Sequence, residues 1–119
     1  MKIVLSGANG QLGKALKELN PDKFDLVACS RKNLDICNFQ ESRKLVREIK
    51  PDLIINAAAY TAVENAEEEN QKAYSVNADG VQNLAIIAKE ENIQLIHIST
   101  DYVFDGKNDR PYKESDQTN

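Results

Sequence analysis

The chain has 119 residues, 41% of them hydrophobic and 29% charged, a globular balance at a size that suits one domain. Lys and Arg number 15 against 19 Asp and Glu, a net charge of −4 with no basic block, which argues against a nucleic-acid partner. No apolar run approaches a membrane span, the start lacks a signal-peptide core, and Cys29 and Cys37 have neither metal-ligand spacing nor disulfide-scaffold density, so a reduced, cytoplasmic setting without a metal site is expected.

Lys2 to Ser6 is a short apolar, β-branched run that stops at glycine and reads as a buried strand. From about Gln11 to Leu19 a helix is expected, with Leu12, Leu16 and Leu19 on one face and Asn20-Pro21-Asp22 as its stop. Asp25 to Ser30 forms a second strand, followed by a very short extended piece, Leu34-Asp35-Ile36. Asn38 precedes Glu41 by three residues, the spacing of a capping box. The helix behind it carries Phe39, Leu45, Val46 and Ile49 on one stripe and ends before Pro51. Leu53 to Ala58 is a near-continuous apolar run, as a central parallel strand covered on both faces requires. Ala62 to Gln71 is acidic and partly helical. A long helix then runs from about Lys72 to Glu91 with Asn77, Val81, Leu84, Ala85 and Ala88 on one face. Leu95 to Thr100 is the last clear strand, and from about Lys107 the polar tail reads as loop. Strands alternating with helices argue for βαβ units and a parallel sheet.

Three of the five glycines fall within Gly7-Ala8-Asn9-Gly10-Gln11-Leu12-Gly13, between the first strand and the first helix. In such a loop one glycine permits the tight turn, one lets the backbone approach a pyrophosphate, and one lets helix and strand pack closely. The helix N-terminus then offers free N–H groups and a partial positive charge to the phosphates. An ordinary strand-to-helix turn is the plainer alternative, but the placement favours a dinucleotide, and the missing G-K-[ST] ending argues against a P-loop. At the end of the second strand, where an acid would favour NAD, stand Ser30, Arg31 and Lys32. A hydroxyl and two cations suit a 2′-phosphate, so NADPH is favoured and NADH is possible.

Asn56-Ala57-Ala58-Ala59-Tyr60-Thr61-Ala62-Val63 ends the apolar central segment with small side chains, which let a ligand lie close to the backbone. Ser99-Thr100-Asp101-Tyr102-Val103-Phe104-Asp105-Gly106 ends the last strand in the same way. Together with GANGQLG and the LDI after the second strand, these segments resemble, in order and spacing, the extended short-chain dehydrogenase/reductase family, and within it the dTDP-4-dehydrorhamnose reductase branch. The resemblance covers essentially the whole chain. It implies a Rossmann-type doubly wound parallel α/β sheet, truncated to about five strands, with residues 1–119 as the N-terminal part of the NAD(P)-binding domain. It also implies a dTDP-sugar substrate and a possible homo-oligomer.

By that resemblance Gly7, Asn9, Gly10, Gln11 and Leu12 surround the pyrophosphate, and Asp35 and Ile36 meet the adenine. Ala57, Ala58 and Ala59 line the cofactor groove, with Tyr60 at a position often held by histidine. Thr61, Val63 and Tyr102 match sugar-nucleotide contacts. Thr100 matches the hydroxyl residue of the catalytic Ser/Thr–Tyr–Lys set, where it would hold the substrate carbonyl while a tyrosine gives the proton. Glu64-Asn65 departs from the usual Asp-Lys after the valine. Asn77, polar on an apolar stripe, needs a buried partner and reads as structural. His97 reads as a satisfied core histidine, Cys29 as a small buried residue and Cys37 as a loop thiol.

No Tyr-x-x-x-Lys occurs: four residues after Tyr60, Tyr74, Tyr102 and Tyr112 come Glu64, Ala78, Gly106 and Asp116. In the family the Tyr–Lys helix follows a segment like Pro111 to Asp116, and most of the sugar-nucleotide domain lies beyond it. The chain by itself is therefore expected to bind cofactor without turnover. A non-catalytic NAD(P)-binding regulatory module and an inactive gene fragment are the competing readings.

Overall fold

The computed structural model describes residues 1–118 apart from 21 and 67, with the backbone alone at 63. The expected stop at Pro21 and the Glu67 portion of the acidic segment lie outside the described residues. Strand β1 (Lys2–Ser6) leads through α1 (Gln11–Glu18) to β2 (Asp25–Cys29), and α2 (Phe39–Ile49) leads to β3 (Leu53–Asn56). Short helices α3 (Val63–Ala66) and α4 (Asn70–Tyr74) follow. A π-helical turn (Ser75–Asp79) then joins α4 to α5 (Gly80–Glu90), and β4 (Gln94–His97) precedes a 3₁₀ turn at Asp101–Val103.

All strand pairs are parallel, in the order β2-β1-β3-β4. From β1 the chain steps outward to β2, then returns across β1 to reach β3. Right-handed crossovers place α1 on one face of the sheet and α2 and α5 on the other, the doubly wound parallel arrangement. Val4, Ile54 and Cys29 from the strands meet Val46 of α2 and Leu84, Ile87 and Ala88 of α5 in the larger core. β1 and β3 are the inner strands, which is why their side chains are buried on both faces.

The sheet has four strands rather than about five. Leu34-Asp35-Ile36 is not a strand, because the carbonyls of Asp35 and Ile36 accept hydrogen bonds from helix side chains, Ser42 and Asn83, instead of a neighbouring strand. Half of the capping box forms: Asn38 Oδ1 accepts the Glu41 amide at 3.2 Å, while the Asn38 amide donates to the Asp35 carbonyl. The long helix starts at Asn70 and is interrupted by the π turn, which adds a residue per turn and rotates the face beyond it. Ile87 therefore joins Leu84 and Ala88 inside, and Ala85 faces out. In α1 the expected leucine stripe is not buried: Leu12 and Leu19 are exposed, and the helix seats on the sheet through Gly13. β4 ends at His97 rather than Thr100, with Ile96 and Ile98 exposed.

The polar segment after Tyr102 has its own order. Phe104 and Tyr112 stack with centroids 4.3 Å apart, and the Tyr112 hydroxyl donates to Asp105. Arg110 forks onto both oxygens of Asp116 and holds that carboxyl below the usual range. Among the described residues no helix is long and apolar enough to cross a membrane.

Candidate functional site

Where a parallel sheet reverses its winding, the loops leaving neighbouring strands part and open a crevice at their C-terminal ends. Here the reversal lies between β1 and β3, so the glycine loop faces Ala57 and Ala58. Gly7 has φ +71°, and a Cβ there would lie 2.5 Å from the Ala58 nitrogen. At Gly13 a Cβ would lie 2.3 Å from the Gly7 carbonyl oxygen and 2.7 Å from Ala8 Cα. These two glycines are demanded by the protein's own backbone. Gly10 differs: its Cβ would meet only the Gly7 oxygen, at 3.3 Å, and its extended backbone suits any residue. Gly10 is also the N-cap of α1, and no side chain caps that helix. Its first amides are thus left to whatever occupies the crevice.

Beneath the loops runs a row of residues in register, Cys29, Ser6, Asn56 and His97, one from each strand. Ser6 and Asn56 are fully buried. The Ser6 hydroxyl donates to Asn56 Oδ1 at 2.6 Å, and the Ala58 amide donates to the same oxygen at 3.1 Å. Asn56 Nδ2 lies 3.1 Å from His97 Nδ1. His97 is therefore partnered as expected, but its ring is exposed rather than in the core, because β4 is an edge strand. Cys29 is buried, and burial pushes its thiol pKa up.

A cavity of about 230 Å³ occupies the crevice. Of the residues expected at a cofactor, Gly7, Asn9, Gly10, Arg31, Asp35, Ile36, Ala57, Ala58, Ala59 and Tyr60 line it. Gln11 and Leu12 do not line it, and neither does Ser30, whose hydroxyl donates to Asn33. Sequence reasoning missed Leu34, Cys37 and Val76 as lining residues. Leu34 belongs to the LDI segment and could have been found there; Val76 is brought in by the π turn, which no sequence pattern announces. Burial, followed by the charge of nearby Asp35, raises the Cys37 thiol pKa.

Tyr60 is held at three points. Asn77 Oδ1 accepts its amide at 2.8 Å and Asn77 Nδ2 donates to its carbonyl at 3.1 Å. Asn77 finds its partners as expected, although it is exposed rather than buried. The Tyr60 hydroxyl donates to Glu69, and Lys72 Nζ sits 5.4 Å from the ring centroid. That hydrogen bond raises the phenol pKa and lowers the Glu69 carboxyl pKa. A carboxyl so lowered stabilises the contact above the ordinary glutamate range and releases it as pH falls through the lowered value. On Glu69→Gln, Tyr60 should ionise at lower pH, read as earlier tyrosinate absorbance in an alkaline titration. An unchanged titration would contradict the pairing.

Thr100, Thr61 and Tyr102 do not line the cavity. Thr100 is exposed, and its Oγ1 accepts the Tyr102 amide at 3.2 Å as the cap of the 3₁₀ turn. Tyr102 and Thr61 are exposed, and the Val63 side chain lies outside the described residues.

The family model described as the RmlD substrate binding domain matches residues 1–119. A dTDP-4-dehydrorhamnose reductase of Aggregatibacter actinomycetemcomitans is 45% identical over 117 residues, 97% of this chain and 40% of its own length. The spore coat polysaccharide biosynthesis protein SpsK of Bacillus subtilis is 37% identical over 116 residues, 97% of this chain and 41% of its own. Among solved structures, a dTDP-4-dehydrorhamnose reductase of Clostridium acetobutylicum superposes with TM-score 0.96 at 42% identity, covering 100% of this chain and 43% of that one. One from Bacillus anthracis in complex with NADP gives TM-score 0.92 at 44% identity, covering 99% and 43%. The chain thus spans about 40% of the length of the curated relatives it matches.

Proposed function

The chain belongs to the RmlD substrate binding domain family, and from that premise we propose that residues 1–119 are the N-terminal, NADPH-binding part of a cytoplasmic reductase that converts dTDP-4-dehydro-L-rhamnose to dTDP-L-rhamnose. The observation that carries the reading is the uncapped start of α1 at Gly10, opening on a cavity that Arg31, Asp35, Ile36 and Ala57–Ala59 also line. Such a crevice suits a dinucleotide: amides for the diphosphate, small side chains under the nicotinamide half, and a guanidinium for a 2′-phosphate. The relative solved with NADP supports the choice of cofactor.

When bound, the reduced nicotinamide supplies hydride. In this proposal the free amides at the start of α1, from Gln11 to Gly13, would hold the diphosphate at the Gly10 edge of the cavity, and Arg31, with Ser30 beside it, would hold the 2′-phosphate. Tyr60, fixed by Asn77, closes the groove beyond Ala59. The Thr100 hydroxyl would donate a hydrogen bond to the substrate carbonyl oxygen and so stabilise the charge that grows there. Thr61, Val63 and Tyr102 take the sugar nucleotide. Proton delivery needs a Tyr–Lys pair that these 119 residues do not contain, so this stretch alone binds without turnover.

Titrating NADPH and NADH into the chain, followed by nicotinamide fluorescence, tests the reading. Gly10→Val should weaken NADPH by about tenfold or more at a smaller cost to the unfolding midpoint than a substitution at Gly7 or Gly13, because Gly10 lines the cavity and its Cβ meets a single backbone oxygen, at 3.3 Å. Equal affinity in both forms, or no binding by the unaltered chain at millimolar cofactor, would remove the assignment.

A further inference from the structure

The segment Asp35–Cys37 walls one end of the cavity, yet it belongs to no strand or helix that could fix it. Its carbonyls are nevertheless all engaged. The Asp35 carbonyl accepts the Ser42 hydroxyl at 3.0 Å and the Asn38 amide at 2.9 Å. Asn83 Nδ2 donates to the Ile36 carbonyl at 2.9 Å and the Cys37 carbonyl at 3.3 Å. One turn earlier on the same helix, Gly80 gives Ile36 its seat: a Cβ there would lie 2.6 Å from Ile36 Cγ1. The Cys37 thiol donates to the Ser75 carbonyl at 3.4 Å, where the π turn begins.

These contacts tie the segment to α2, α5 and the π turn through its carbonyls, the Ile36 side chain and the Cys37 thiol, while the segment still lines the cavity. We infer that Asn83 is a positioning residue for the adenine end of the dinucleotide, acting through the Ile36 and Cys37 carbonyls without touching the ligand. The inference rests on the dinucleotide reading above. Without the amide donor, two neighbouring carbonyls lose their shared partner, and the segment is free to turn them toward the adenine pocket.

The test uses the chain with three probes: NADPH, adenosine 2′,5′-bisphosphate for the adenine end alone, and reduced nicotinamide mononucleotide for the other end. Asn83→Asp places a carboxylate oxygen against the two carbonyls. It should weaken NADPH and the bisphosphate together by about tenfold and leave the mononucleotide unchanged. A purely structural role would lower all three alike. Should N83D fail to fold, Asn83→Ser, whose hydroxyl is too short to bridge both carbonyls, carries the same comparison. Bisphosphate affinity within about twofold of wild type in a folded variant, or parallel loss of all three probes, would overturn the inference while wild-type NADPH binding left the cofactor reading standing. Failure of the unaltered chain to bind either adenine probe would overturn both.

Discussion

Gly13→Ala is expected to be among the most damaging single-methyl changes in the chain. The added carbon would sit 2.3 Å from the Gly7 carbonyl oxygen and within 2.9 Å of Ala8 Cα and carbonyl carbon. All three atoms are backbone, so no rotamer change can relieve the clash. α1 must lift from the sheet, and the Gly7 turn, itself at φ +71° against Ala57 and Ala58, must move with it. A loss of about 3–4 kcal/mol is expected, a large share of the total for a domain of this size. Urea denaturation with an unchanged slope measures it. The control is Gly10→Ala, expected within about 1 kcal/mol of wild type because its Cβ meets a single backbone oxygen, at 3.3 Å, which a shift of a few tenths of an ångström relieves. Similar midpoints for Gly13→Ala and wild type would mean that helix and strand are not packed as described.

Asn56→Leu is the second. Leucine has the same number of side-chain heavy atoms as asparagine, in the same branched shape, so packing alone would not forbid it. Its cost is polar: the Ser6 hydroxyl and the Ala58 amide both lose their acceptor at a fully buried position, and His97 loses its partner. About 3–5 kcal/mol is expected, from the stranded groups rather than from the missing asparagine. Adding Ser6→Ala should recover part of that loss, since one stranded hydroxyl is removed, and the double-mutant cycle measures the coupling. A loss under about 1 kcal/mol would show that the row across the strand ends is not a connected network.

The lowered carboxyls at Glu69 and Asp116 lie on the surface, where solvent and salt weaken such pairs, so neither governs global stability. Their effect is local. Glu69 sets how firmly Tyr60 is held at the cavity edge, and Asp116 shapes the loop after β4.

Much of the fold was legible from short-range patterns. A strand buried on both faces has to be apolar throughout, as Lys2–Ser6 and Leu53–Asn56 nearly are, and a strand-to-helix turn that brings backbones into contact needs glycine. The N-cap at Asn38 is equally local, since donor and acceptor are three residues apart. The candidate cavity followed from these, because a parallel sheet gathers its strand ends on one side. What misled was periodicity. Leu12 and Leu19 of α1 obey it and stay exposed, and the stripe expected to continue from Asn77 is rotated by the π turn that contains Asn77, so that Ile87 rather than Ala85 is buried.

The amino-acid order by itself determined that α1 packs closely on the end of β1 at Gly13 and which end of the sheet carries the glycine loop, because both rest on interactions between near neighbours in the chain. Only the tertiary structure decided that Ser6, Asn56 and His97 form one row, that Val76 reaches the cavity, and that Asn83 holds the Asp35–Cys37 wall. Those pairings join residues about 40 to 50 positions apart. No local propensity encodes them; they exist once strand register and helix phase are set by burial of the whole core.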